Sequence, residues 1–375
     1  MDTTVDLDVF SSLVERPDES ARRAGEERWQ QLDRPRGGLG QLEELGAWLA
    51  GVQGASPVRP LTAAKVVLFA ADHGIAAAGV SKLTGGTAHR VHSVLDGTAP
   101  VAVLARRYGA AVRVVDVGVD AGPEEFPAEV SRFRVRRGSG RIDVEDALTQ
   151  AQAAEAFRAG MAVADEEADA GTDLVLLGDL GVGSTTAAAV LVGALCGTDA
   201  AAVTGRGSGI DDRTWMVKCA AVRDSLRRAR PVLGDQLALL ATVGGADYAA
   251  LTGFLLQAAV RKLPVVLDGV VGAAAALVAQ RIAFRAPEWW RAGQSTGEPA
   301  QAKAYDRLTL TPVQTLGVTM GEGVGALLAL PLFQAATDTL ADPDQALAAT
   351  AGTTAPRTPA VPRPLPTAAE LLGRG

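Results

Sequence analysis

The segment LVLLGDLGVGSTT, Leu174 to Thr186, decides the fold. Its first four residues are apolar without the polar alternation of a half-exposed strand, which predicts a strand at 174–177 covered on both faces. Gly178, Gly181 and Gly183 then permit positive φ and close backbone approach to a ligand. Ser184, Thr185 and Thr186 add hydroxyls where an apolar helix begins, an arrangement that cradles phosphate. Buried strand, glycine turn and apolar helix form the repeating unit of a parallel α/β sheet. Working outward, residues 65–70, 112–117 and 264–267 read as further buried strands between alanine-rich helical stretches. Each ends on polar or glycine residues: Asp72-His73-Gly74, Asp116 to Gly118 and Asp268-Gly269. Ligands of open parallel sheets collect beyond the carboxyl ends of strands, so four such ends predict one composite pocket.

Toward the amino terminus a helical region at 26–51 is interrupted by RPRGGLG at 34–40, whose proline and glycines break any helix, and helical periodicity resumes at 41–50. Toward the carboxyl terminus a helix is expected at 325–339, and residues 341–375, rich in Ala, Pro and Thr, read as a disordered tail. No repeat with a period of about 20 to 50 residues is visible, which argues against a solenoid or propeller.

The chain has 375 residues, 48% of them hydrophobic and only 4% aromatic, so a large core must be packed from Ala, Val and Leu. A formal charge of −7 gives no general attraction to nucleic acid or to an anionic membrane, which favours small-molecule chemistry. Cys196 and Cys219 are too few for a disulfide framework, and the acidic start lacks the features of a signal peptide. The cytoplasm is the expected compartment. The apolar runs 187–196 and 270–279 fall well short of the roughly 20 residues that cross a bilayer.

Glu322, between Gly321 and Gly323 in MGEGVGA, is a candidate general base, since its nearest sequence neighbours supply no cation. GDLGVGSTT is not a P-loop, because no lysine precedes the hydroxyls, and not a dinucleotide fingerprint, because Thr186 stands where a third glycine or alanine belongs; taken alone it reads equally as another phosphate-binding strand-to-helix loop or as structural turn glycines. The stretch TGRGSGIDD, 204–212, followed by Lys218, offers a second anion-friendly loop with Arg206 as a phosphate partner; taken alone it also reads as a surface connection. His73 stands at a strand end beside an acid. His89 and His92 share a helical face without the acids or cysteines of a metal site, so metal catalysis is not expected. Ser81 lacks the GxSxG setting of a hydrolase nucleophile, and Trp289 and Trp290 are read as packing residues.

Taken in order, RPRGGLGQLEELGAWLA, ADHGIAAAGVS, GDLGVGSTT, TGRGSGIDD, VGGADYAALTG, VVLDGV, GEPAQA and LGVTMGEGVGALLALPL resemble the nicotinate-nucleotide:dimethylbenzimidazole phosphoribosyltransferases over about residues 25–336. The resemblance implies transfer of the phosphoribosyl group of nicotinate mononucleotide to a benzimidazole nitrogen in cobalamin assembly, without metal or redox cofactor, by a homodimer. Glu322 matches the family's base. Asp179, Gly181, Gly183, Ser184, Thr185 and Thr186, with Gly205, Arg206, Gly207 and Lys218, would line the ribose phosphate pocket. Ser81 and His89 would border the acceptor base, and Asp268 and Glu298 match acids near the nucleotide. The implied architecture is a large α/β domain (61–320) with a mostly parallel, Rossmann-like sheet, and a small helical domain from the chain ends (1–60 and 321–340).

Several positions depart from the family pattern. Asp179 stands for a usual Glu, Ser184 for Asn, His89 for Gln, Lys82-Leu83 for a small-aromatic pair and Gln294 for His. They leave open a sibling transferase for adenine, another benzimidazole or a phenol, and a nucleotide-binding protein with weak turnover.

Overall fold

The computed structural model describes residues 5–33, 35–83 and 85–341. Apart from Ala341, the tail expected at 341–375 lies outside the described residues. The strands are β1 (Ala64–Ala71), β2 (Ala111–Gly118), β3 (Leu174–Leu180), β4 (Val265–Leu267), β5 (Trp290–Gln294) and β6 (Pro312–Gln314). All neighbours pair parallel in the order β2-β1-β3-β4-β5-β6. From β1 the chain steps outward to β2 and then crosses to β3 on the other side. That reversal opens a crevice beyond the carboxyl ends of β1 and β3.

The four expected strands are present. β3 runs three residues further than its apolar run, because β1 continues the ladder: Phe69 pairs with Asp179 and Ala70 with Leu180. Asp179 is therefore a strand residue, rigidly held, rather than part of the turn. β5 and β6 are not legible as strands in the sequence. WRAGQ carries Arg291 and Gly293 in its middle, and PVQ is a three-residue edge strand opening on a proline, whose missing N–H is tolerated there. Arg291 stacks on the Trp48 ring at 4.4 Å, so its charge does not interrupt the packing. Both Trp289 and Trp290 are buried, as expected of packing residues.

Helix Gln150–Asp169 starts with a capping box, Thr149 Oγ1 accepting from the Gln152 amide at 3.2 Å and Gln152 Oε1 from the Thr149 amide at 3.0 Å. It lies against helix Ala246–Val260 so closely that a Cβ on Gly160 would sit 1.8 Å from the Ala250 carbonyl oxygen. Gly160→Ala should force the two helices apart and lower stability by about 1–3 kcal/mol in a thermal or denaturant melt; an unchanged midpoint would contradict this packing.

Helices Glu19–Gln31, Gln41–Gln53 and Val324–Leu340 bring the chain ends together. Trp48 meets Phe333 edge to face at 6.0 Å, and Arg28 Nε donates to the Leu340 carbonyl at 2.6 Å. Leu49 and Phe333 belong to the same buried cluster as Leu68 and Leu176, so one apolar core runs from the sheet into these helices. The segment carrying Glu322 is anchored to that core from both sides. Among the described residues no helix is long and apolar enough to cross a membrane.

Candidate active site

Beyond the carboxyl ends of β1, β3 and β4 lies a cavity of about 440 Å³, of a size that holds a small molecule. Ser81, Asp179, Gly181, Gly183, Ser184, Thr185, Arg206, Gly207, Glu298 and Glu322 all line it. The two glycine loops and the Glu322 segment, distant in sequence, thus share one space. Thr186, Gly205, Lys218 and Asp268 stand behind the wall, and His89 is exposed on helix Gly86–Leu95, off the lining. Its neighbour Arg90 faces the cavity instead.

Gly321, Glu322 and Gly323 are all left-handed, with φ of 71°, 60° and 76°. A glutamate in that region is strained by about 1–2 kcal/mol, so something must hold it. Asp268, at the end of β4, does so: Oδ2 accepts from the Gly323 amide at 2.9 Å and Oδ1 from the Ala326 amide at 3.0 Å. These are first-turn donors of helix Val324–Leu340 that lack intrahelical acceptors, so Asp268 caps that helix from across the sheet. Burial pushes the Asp268 carboxyl up to about 6 against the pull of those amides. Gly178 matters for the same reason, since a Cβ there would lie 2.4 Å from the Gly323 nitrogen. Asp268 therefore orients Glu322 and does not touch the cavity.

Glu322 itself contacts the Arg90 guanidinium, and both side chains are largely shielded from solvent. No cation neighbours Glu322 in the sequence; the fold supplies one from helix Gly86–Leu95. Burial pushes the Arg90 guanidinium down, opposed by the nearby Asp179. A carboxylate offers about four lone-pair sites on two oxygens. One arginine leaves room for a second donor.

The second loop and the start of the helix after the first are held by two charged side chains. Glu298 Oε1 accepts from the Gly207 amide at 2.8 Å, and buried Lys218 donates from Nζ to Thr185 Oγ1 at 2.9 Å. Burial pushes Lys218 down, partly offset by Glu298. Arg206 turns to Asp212 and donates to the Ile210 carbonyl at 2.8 Å, so in this state it shapes its own loop. Ser208 accepts from the Lys82 amide at 2.9 Å and lies 3.3 Å from Ser81 Oγ, closing the loop over one end of the cavity. Gln294 donates to the Val318 carbonyl, tying down the segment before Glu322.

Asp179 is pushed up to about 7, chiefly by desolvation and then by Asp247, with a Ser184 hydrogen bond and His73 opposing. A folded pKa above the unfolded value means that this acid favours the fold below about pH 4 and that the benefit is lost as pH rises through about 7. Asp179→Asn should thus gain on the wild type as pH rises, melting higher near pH 8 by on the order of a few kcal/mol and less so near pH 5. A difference that does not grow between those two melts would refute the burial cost.

A family model described as phosphoribosyltransferase (DBI_PRT) matches residues 14–350. The nicotinate-nucleotide--dimethylbenzimidazole phosphoribosyltransferase of Streptomyces avermitilis is 65% identical over 336 residues, spanning 89% of this chain and 90% of that protein. The protein of the same name from Mycobacterium ulcerans is 49% identical over 328 residues, spanning 87% of this chain and 91% of its own. The crystal structure of CobT from Thermus thermophilus resembles this fold with a TM-score of 0.81 at 36% identity, covering 86% of this chain and 96% of that one. Sequence and fold agree over nearly the whole length, and with the glycine loops meeting in one cavity they lead to a single conclusion: the chain belongs to the DBI_PRT phosphoribosyltransferase family.

Proposed function

We propose that the protein transfers the phosphoribosyl group of nicotinate mononucleotide to 5,6-dimethylbenzimidazole, releasing nicotinate, in the assembly of the cobalamin nucleotide. The name carried by relatives up to 65% identical supports the reaction. The observation that carries the chemistry is Glu322, fixed in a left-handed turn by Asp268 at the cavity that both glycine loops share. The Gly181–Gly183 and Gly205–Gly207 loops, with Ser184, Thr185 and Glu298 on the cavity wall and Thr186 and Lys218 behind it, would receive the ribose phosphate. Ser81 and Ser208 would border the acceptor ring, and Arg90, which lines the cavity, would stand beside the base where the family resemblance puts His89.

In the reaction the acceptor's ring N–H gives its proton to the Glu322 oxygen that Arg90 leaves free, while the other ring nitrogen attacks the anomeric carbon and inverts it. The bond to nicotinate breaks as the new C–N bond forms. The leaving pyridinium takes the bonding electron pair and becomes neutral at nitrogen, so it needs no general acid. What remains is alignment of nucleophile, sugar and leaving group, which the anchored loops serve. No cofactor enters this scheme. The protein would act in the cytoplasm as a homodimer, with residues 1–60 and 321–340 forming a small helical domain beside the α/β domain of 61–320.

The test is to incubate purified protein with both substrates and chromatograph for free nicotinate and the α-nucleotide. Neither product, with the folded protein confirmed by its melt, would overturn the assignment; a panel with adenine, other benzimidazoles and phenols ranks the acceptors.

A further inference from the structure

One buried histidine–aspartate pair has no part in the scheme above. His73, after β1, places Nε2 2.9 Å from Asp247 Oδ2 on helix Ala246–Val260, and both side chains are almost wholly buried, at 1% and 0% exposure. The imidazole forms the floor of the first glycine loop. A Cβ at Gly183 would lie 3.1 Å from the His73 Cβ, one at Gly181 would lie 3.5 Å from its Cδ2, and the His73 amide donates to the Val182 carbonyl at 3.2 Å. Next to Asp247, Tyr248 meets the imidazole edge to face at 5.9 Å and donates its hydroxyl to the Ser184 carbonyl at 2.7 Å, so the pair clamps both the loop and the first turn of the helix after it.

The charges explain why a histidine is needed. Asp247, on helix Ala246–Val260, bonds this imidazole, and the charges of Asp179 on β3 and Asp72 after β1 act on it from further away. With Asp247 in contact and Asp72 nearby, a loop that receives phosphate gains from a cation beneath it. Lys218 stands on the far side, at Thr185, and Arg90 across the cavity, at Glu322.

We propose that His73 is a positioning residue for nucleotide binding: its imidazolium, held by Asp247, supplies the positive charge under the Gly181–Gly183 loop that lets the loop take a phosphate monoester. The inference rests on the reading that this loop receives the nucleotide's phosphate. The carboxylates raise the imidazole's affinity for a proton against the opposing effect of burial. The charge is present below the imidazole's folded pKa and lost as pH rises through it, so nucleotide affinity falls in the same range.

The chain has three histidines, so a nitrogen-15 NMR titration of histidine-labelled full-length protein resolves each ring. His73 should keep both ring protons to higher pH than a free imidazole. His73→Asn should raise the KM and the calorimetric Kd for nicotinate mononucleotide roughly 10- to 100-fold, the worth of one charge a few ångströms away in a protein interior, with kcat little changed. The part of the wild type's alkaline KM rise that follows the His73 titration should be absent from the variant, while a part that follows Asp179 near pH 7 should remain. Asp247→Asn, which keeps the shape but removes the counter-charge, should move both the NMR titration and the KM rise to lower pH; it serves if His73→Asn does not fold. A wild-type protein that binds nucleotide while His73 is neutral, or a folded His73→Asn that binds as tightly as wild type, overturns the inference alone. A wild type that binds no nucleotide overturns the reading of the loop, and the inference with it.

Discussion

Glu322→Gln should lower turnover by ~10²–10⁴, the usual worth of a positioned base, while nicotinate mononucleotide binds with little change. Glutamine keeps the length of the side chain and an oxygen that can accept from Arg90; what it lacks is the capacity to take a proton at neutral pH. The left-handed backbone at 322 costs glutamine and glutamate alike, so stability should change little. Single-turnover rates and calorimetric binding on the same preparation separate chemistry from affinity. Turnover within a factor of a few of wild type would remove Glu322 from the reaction.

Asp268→Ala should cost nearly as much without touching a substrate. The carboxylate spans the amides of Gly323 and Ala326 and is itself buried, so truncation leaves two donors unmet at the start of helix Val324–Leu340. The strained turn then relaxes, and a base misplaced by about 1 Å can lose ~10² in rate. We expect kcat to fall by about that factor, with a loss of about 1–3 kcal/mol in the melt for each amide left unpaired. Asp268→Asn, which keeps one acceptor oxygen, should fall between. A variant with a lowered melting temperature but full kcat would show that the cap supports the fold without aiming Glu322.

The sequence reveals what depends on local signals. Buried strands appear as unbroken apolar runs, and glycine-rich strand ends mark where backbone approaches ligand, so β1 to β4, both loops and Glu322 can be read directly. Features set by tertiary placement cannot. Helix Gly86–Leu95 enters from Gly85 at a φ of 89°, and its phase decides that Arg90 rather than His89 meets the cavity; adjacent residues on a helix point about 100° apart, and no residue pattern fixes that phase. The motif residues Thr186, Lys218 and Asp268 carry the same kind of sequence signal as Thr185 and Asp179 yet stand behind the wall as supports. Asp247 lies in the quoted VGGADYAALTG stretch, but only the fold brings it under His73. β5 and β6 take their strand geometry from β4 and from each other rather than from β-branched residues of their own.

The most direct measurement is a crystal structure of the protein with dimethylbenzimidazole and a non-reacting nucleotide analogue. The account predicts one Glu322 carboxylate oxygen at about 2.6–3.2 Å from the acceptor ring nitrogen that carries the proton, with Arg90 on the other oxygen or swung away. A complex in which Arg90 occupies both oxygens, with no ring nitrogen within hydrogen-bond reach of position 322, would contradict it.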